Sequence, residues 1–309
     1  MAKGVLSPFA IHTEVKTMHV CSIIKNHIGD ALALVQHNMS TIDESHDDRL
    51  LSQMIQYHGT SQGNATRALI SLYASDALHL RQQDAVAAAS IVETLHTASL
   101  IHDDIQDREP HRRGKPSLWH QFGEGPALCA GDFYLSKAYS HCADISQPTQ
   151  IQRLIQLVHQ SITQTISGQT SDITSTDIRT TSQDYETIAI NKSGPLLGLA
   201  LRIPLLLAGY DDDETQVWMK QCIEPFALSY QIVDDLFDTQ IDAEQGTLNL
   251  VNLLMRDMSS QEASAYAKAR VELLLSQARA NLALVPNYAG IYIDYCIDQL
   301  QLKAQQVKI

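Results

Sequence analysis

Two clusters of aspartates, Asp103-Asp104-Ile105-Gln106-Asp107 and Asp234-Asp235-Leu236-Phe237-Asp238, repeat one spacing more than a hundred residues apart. At helical periodicity Asp103 and Asp107 fall on one face a turn apart, with Asp104 about 100° round the axis, and the second cluster has the same form. Like charges at i,i+4 cost a helix a few tenths of a kcal/mol, and unpaired carboxylates are expensive to bury. Yet the apolar runs before them, 94–101 and 226–233, would bury both helices. Something positive must compensate the charge. Two facing all-oxygen clusters suit a hard cation, above all Mg²⁺, which takes a few carboxylates, keeps several waters and completes its shell with substrate phosphate oxygens. The alternative is a pair of solvated helix turns; the same spacing occurring twice in apolar surroundings favours the metal.

The elements that must position these clusters are helices. Segments with 3.6-type spacing follow one another at roughly 14–38, 47–57, 64–80, 82–104, 127–143, 148–172, 182–208, 212–236, 260–283 and 288–305, and strand signals are almost absent. Breakers fall between them, as in Glu109-Pro-His-Arg-Arg-Gly-Lys-Pro116, Gly123-Glu-Gly-Pro126 and Pro286-Asn287. With no linker and no solenoid repeat, the chain reads as one all-α domain over 1–309. This places the clusters at the C-terminal ends of 82–104 and 212–236. If those helices cross a central cavity, carboxylates ring its mouth above apolar walls, a pocket for an amphiphile with an anionic head and a hydrocarbon tail.

Composition narrows the partners. With 309 residues, 44% hydrophobic content and a net charge of -13, the chain can bury a large core but lacks the basic surface that nucleic acid or anionic membrane requires. An anionic substrate must be held locally, by metal and a few placed basic residues. Cys21, Cys129, Cys142, Cys222 and Cys296 are scattered and without CxxC spacing, which indicates neither a disulfide framework nor a zinc site and fits a reducing cytoplasm. Neither a signal peptide nor a membrane span is expected: the N-terminus lacks a continuous apolar stretch, and the most apolar segment, Pro195 to Tyr210, is interrupted by Arg202 and Pro204.

The segments Leu100-Ile-His-Asp-Asp-Ile-Gln-Asp107, Arg112-Arg-Gly-Lys-Pro116, Gly131-Asp-Phe133 and Tyr230-Gln-Ile-Val-Asp-Asp-Leu-Phe-Asp238 resemble, in order, the trans-isoprenyl (polyprenyl) diphosphate synthases. The resemblance implies a single helical bundle of the isoprenoid synthase type with a central cavity, normally a homodimer, binding three Mg²⁺ between two DDxxD motifs. It implies Asp103, Asp107 and Asp234 as metal ligands, with Asp104, Asp235 and Asp238 as further ligands or their partners. Arg112 and Lys192 would hold an allylic diphosphate; Arg67, His96 and Arg113 would hold isopentenyl diphosphate. Gln231, and Gln169 and Asp172 of Gly168-Gln-Thr-Ser-Asp172, would line the cavity. Ala98 and Ser99, small where short-chain members carry aromatics, would leave a tunnel open for a product of C20 or longer.

Two departures stand against that pattern. Asn64 occupies the place of a family lysine before Arg67, which could cost about 1.5–3 kcal/mol of phosphate binding. The loop after Asp238 looks shortened, and its lysine is missing. A lyase acting on a single prenyl diphosphate, or a non-catalytic subunit of a heteromeric synthase, would tolerate these losses; retention of Arg67, His96, Arg113 and the aspartates favours the transferase. A di-iron bundle site would want glutamates and a Glu-x-x-His pair, which neither cluster supplies. Elsewhere, Asp211 to Glu214 and Asp47-Asp48 read as solvated helix starts, and Met54, Met219 and Met255 as core fillers.

Overall fold

The computed structural model describes residues 28–42, 49–59, 63–175 and 180–307, and its architecture is all-α. Cys21, Asp47-Asp48 and residues 14–27 of the first expected helix lie outside these described residues. Helical residues 28–40 form α1, followed by α2 (Arg49–Gly59), α3 (Thr66–Ala77) and α4 (Gln82–Gln106). A two-stranded hairpin, β1 (His111–Arg112) and β2 (Lys115–Pro116), leads to α5 (Leu118–Phe122), α6 (Glu124–Cys142), α7 (Pro148–Thr174) and α8 (Ser182–Leu207). Then come α9 (Asp213–Gln245), α10 (Leu250–Leu254), α11 (Ser260–Leu282), a 3₁₀ turn at Pro286–Tyr288, and α12 (Ile291–Gln306).

Burial explains which helices are central. From Ala85 to Val92, α4 is buried on every side, and its small side chains let α3, α6 and α8 approach together; a helix without a polar face belongs in the interior. The stretch Gly194–Leu207 of α8 is likewise buried but for Arg202. Helix α9 packs against α8 and α11. Pro225 inside α9 cannot donate to the carbonyl of Gln221, and Asn281 of α11 donates to that oxygen instead at 3.3 Å.

Helix starts follow local chemistry. Thr181 with Asp184 and Ser259 with Glu262 form capping boxes at α8 and α11, and Asp212 accepts from the Thr215 N–H at 2.7 Å to start α9. The acidic run at 211–214 is thus a helix start, as expected, although Asp211 also pairs with Arg153 at 2.6 Å.

Several expectations need correction. The second aspartate cluster is not at a helix end: α9 continues about two turns past Asp238 to Gln245, so the shortened loop is extra helix followed by Gly246 in the left-handed conformation. The hairpin, α5 and α10 are too short for periodicity to reveal. Met54 and Met219 are buried, but Met255 is 43% exposed.

Candidate active site

The two clusters come together. A cavity of about 770 Å³ is lined by Asp103 and Asp107 from α4, Asp234, Asp238 and Asp242 from α9, Gln169 and Asp172 from α7, and Lys192 from α8. Arg67, His96, Ser99, Arg112 and Gln231 also reach it, and Leu100, Leu196, Leu248 and Leu253 form its apolar parts. A neighbouring cavity of about 280 Å³ shares Arg67, His96, Gln231 and Asp234, and adds Asn64, Glu93, Arg113 and Tyr230.

Seven carboxylates and four basic side chains line the larger cavity, so it is strongly electronegative. Burial pushes the Asp103 carboxyl up to about 6; Lys192 opposes the rise and Asp107 adds to it. Asp107 is raised by burial with Lys192 opposing, and Asp238 by burial and by Asp234. Burial alone would lower Lys192, but Asp172 and Asp103 outweigh it and hold the ammonium above its ordinary value. Its Nζ lies 2.6 Å from Asp172 Oδ2.

That pairing depends on Gly168. A Cβ there would lie 2.4 Å from both the carbonyl carbon of Asn191 and the amide nitrogen of Lys192, so α7 and α8 meet backbone to backbone. The crossing sets Asp172, one turn on, against Lys192. In the same helix Gln169 donates to Gln106 at 3.0 Å, while its own Oε1 is buried and unpartnered beside the carboxylates.

The hairpin separates the two arginines. Arg113 and Gly114 form its turn with φ of 54° and 77°, a two-residue turn that matches the twist of the strands and favours glycine at its second position. Arg112 is thereby directed at α4, its Nε 2.6 Å from Asp104 Oδ1. Arg113 points the other way, to Gly63, where a Cβ would be 2.2 Å from its guanidinium.

Two of the expected site aspartates do other work. Asp104 does not line the cavity; 5% exposed, it grips Arg112. Asp235 is 2% exposed and accepts from the Leu250 N–H at 2.7 Å and from Gln231 at 3.0 Å, anchoring α10 to α9. Side chains one position further along a helix turn about 100° away from the face that Asp103 and Asp234 occupy. Ala98 is also turned away, packed with Met54, Ile101 and Tyr134, whereas Ser99 lines the wall. Leu95, one turn before Ser99, is 2% exposed in the main core.

Asp235 carries a pH prediction. Burial pushes its carboxyl up to about 6, against an ordinary value near 3.9, so between those values the folded chain binds protons more tightly than the unfolded one. Stability is therefore greatest below the unfolded pKa and falls as pH rises towards 6, by up to roughly 3 kcal/mol. Denaturant melts in chelator should show this slope for the wild type and a flatter one for Asp235→Asn.

Some site residues were missed in the sequence. Glu93 accepts from the Ala68 N–H at 3.1 Å and faces Arg67, whose Nη1 donates to His96 Nε2 at 3.1 Å. Burial, with Arg67 beside it, holds His96 well below its usual value, so the ring is neutral. Lys303 of α12 sits 2.7 Å from Asp234 Oδ1 and over the Phe237 ring; nothing local marks it, since 69 residues separate the partners. Asp242 was detectable as the next i+4 step after Asp234 and Asp238. His102, beside Gly131 and 3.6 Å from Asp132, does not line the cavity.

Among the described residues, no three His, Cys, Asp or Glu side chains stand close enough to ligate one ion unaided. The donors instead flank a shared space, which suits an ion that fills its shell with water and phosphate oxygens.

A sequence model described as polyprenyl synthetase matches residues 48–273. The chain is 29% identical over 156 residues to a short chain isoprenyl diphosphate synthase of Methanocaldococcus jannaschii, covering 50% of this chain and 47% of that protein. It is 30% identical over 249 residues to the heterodimeric geranylgeranyl pyrophosphate synthase large subunit 1 of Arabidopsis thaliana, covering 75% of this chain and 66% of the relative. The matches thus span about half to two thirds of these relatives' lengths. In structure it is similar to a geranylgeranyl pyrophosphate synthetase of Geoglobus acetivorans, with a TM-score of 0.78 at 23% identity over 89% of this chain and 99% of that one.

Proposed function

The chain belongs to the polyprenyl synthetase family, and from that premise we propose that it is a Mg²⁺-dependent prenyltransferase that condenses an allylic diphosphate with isopentenyl diphosphate. One observation carries this reading: carboxylates from α4 and α9 border a single cavity that also holds Lys192, Arg112 and Arg67. The donor set fits Mg²⁺, since it is all oxygen, carries excess negative charge, and includes the unpartnered Gln169 Oε1. Asp103, Asp107 and Asp234 would hold the ions, with Asp238 beside them. When bound, Mg²⁺ supplies Lewis-acid neutralisation of the diphosphate as it departs.

The chain's own residues do the rest. Lys192 and Arg112 are fixed by Asp172 and Asp104, so they present preorganised charge to the allylic diphosphate as its C–O bond ionises. Arg67, positioned by Glu93 and His96, and Arg113 would hold isopentenyl diphosphate in the adjoining cavity, with Asn64 at its edge. The double bond of that substrate attacks the allylic cation, and the proton lost in forming the product passes to the released diphosphate. Leu100, Leu196 and Leu253 keep water from the cation. The retained cations around Asn64 support the transferase over the lyase.

Incubation with Mg²⁺ and geranyl or farnesyl diphosphate, with and without isopentenyl diphosphate, followed by mass spectrometry, tests the reading. Elongated diphosphates that require both substrates support it. Hydrocarbon or alcohol from the allylic substrate alone, or no turnover, refutes it.

The finer proposal is a product of C20 or above, supported by the small Ser99 in the wall. Ser99→Phe is expected to shorten the main product by one or two C5 units, read from the product distribution. The same proposal includes a cytoplasmic homodimer, supported by the exposed Leu128 of α6 and Ile155 and Ile166 of α7, which a second copy would cover. No helix among the described residues is long and apolar enough to cross a membrane.

A further inference from the structure

Arg202, the charge that interrupts the most apolar stretch of the sequence, takes no part in the chemistry above. It lies on α8, but on a different side from Lys192, and borders a separate cavity of about 290 Å³ between α7, α8 and α9 that shares no lining residue with the larger one.

The guanidinium there is poorly compensated. Its Nη2 donates at 2.6 Å to Gln216 Oε1, a neutral amide, and its Nε is buried without a partner. The nearest aspartate is engaged elsewhere: Asp211 accepts from Arg153 at 2.6 Å and meets Arg202 only through Gln216, whose Nε2 donates to it at 3.0 Å. Burial accordingly lowers Arg202 below its ordinary value, with Asp211 opposing. At the rim, Lys220 faces Glu224 across 3.7 Å, so the charged groups lining the cavity sum to one positive charge in excess. Apart from Gln164 of α7, its remaining wall is apolar, with Ile190, Met219 and Ile223 as its large side chains. A buried charge with only a neutral acceptor is costly, and an anion that enters the cavity removes that cost.

We propose that this cavity is a second binding site, separate from the active site, for a small amphiphilic anion: a phosphate or carboxylate head against Arg202 and Lys220, and a short branched or linear hydrocarbon tail against Met219 and Ile223. At about 30 Å³ per water-sized unit, the volume takes roughly ten non-hydrogen atoms, the size of a C5 prenyl monophosphate or a C8 fatty acid.

Calorimetric titration of the full chain tests this, with the larger cavity first saturated by Mg²⁺ and inorganic pyrophosphate. The probes are isopentenyl monophosphate and octanoate, which separate a phosphate from a carboxylate source, and inorganic phosphate, which lacks the tail. Saturable binding of either amphiphile is expected, tighter than inorganic phosphate, and weakened about tenfold or more by Arg202→Gln and by the surface change Lys220→Glu. Circular dichroism checks that both variants fold; Lys220→Glu keeps the test open should Arg202→Gln unfold. No saturation by about 10 mM, displacement by pyrophosphate, or equal affinity in folded variants overturns the proposal.

Discussion

Asp103→Ala or Asp234→Ala should lower condensation by at least about 10³-fold, some 4 kcal/mol of transition-state stabilisation, while helicity is unchanged. Both carboxylates border the shared cavity, and neither caps a helix or satisfies a buried backbone group. Asp103 pays for its position with a carboxyl pushed up to about 6, so removing it should relieve the fold. Among the described residues Asp234 has a single ion pair, to Lys303, whose loss frees a lysine that is already 45% exposed. The contrast with Asp235→Ala is diagnostic. That variant leaves the Leu250 N–H unpaired in the interior and should lose stability by about 1–3 kcal/mol. Steady-state kinetics together with denaturant melts separate the two classes, and wild-type turnover in either cavity variant would refute the assigned roles.

Lys192→Met is expected to reduce kcat/KM for the allylic substrate about 10²- to 10³-fold, because the proposed mechanism then loses its fixed cation at the departing diphosphate. A second readout has a definite sign. Lys192 opposes the upward shift of Asp103 and Asp107, so without it both carboxyls rise further. Their ionised forms then require higher pH, and the acid limb of the pH–activity profile moves up in residual activity. A purely structural lysine would leave that limb in place. Lys192→Arg retains the charge but replaces a point donor by a planar fork on Asp172, and should recover part of the rate.

Much of the site was legible in the sequence because its signals are local. The i,i+4 spacing of Asp103 and Asp107, and of Asp234 and Asp238, fixes which carboxylates share a helix face. The Arg-Arg-Gly run becomes a tight turn because glycine readily adopts positive φ, and the glycine of the Gly168 motif marks a close helix crossing. The same periodicity assigns Asp104 and Asp235 to another direction, about 100° round the axis, where they meet Arg112 and the Leu250 N–H. The helix-long segments were readable for a similar reason, since an apolar face repeats every 3.6 residues whatever it packs against.

The sequence by itself determined the all-α class, the order of the long helices and the two acid-bearing faces, because these follow from backbone geometry over a few turns. Only the tertiary structure decided that Lys303 reaches Asp234, that Glu93 serves Arg67, and that Ala98 faces α6 while Ser99 faces the cavity. Each of these depends on the angle and depth at which distant helices cross, and those are set by the packing of the whole core.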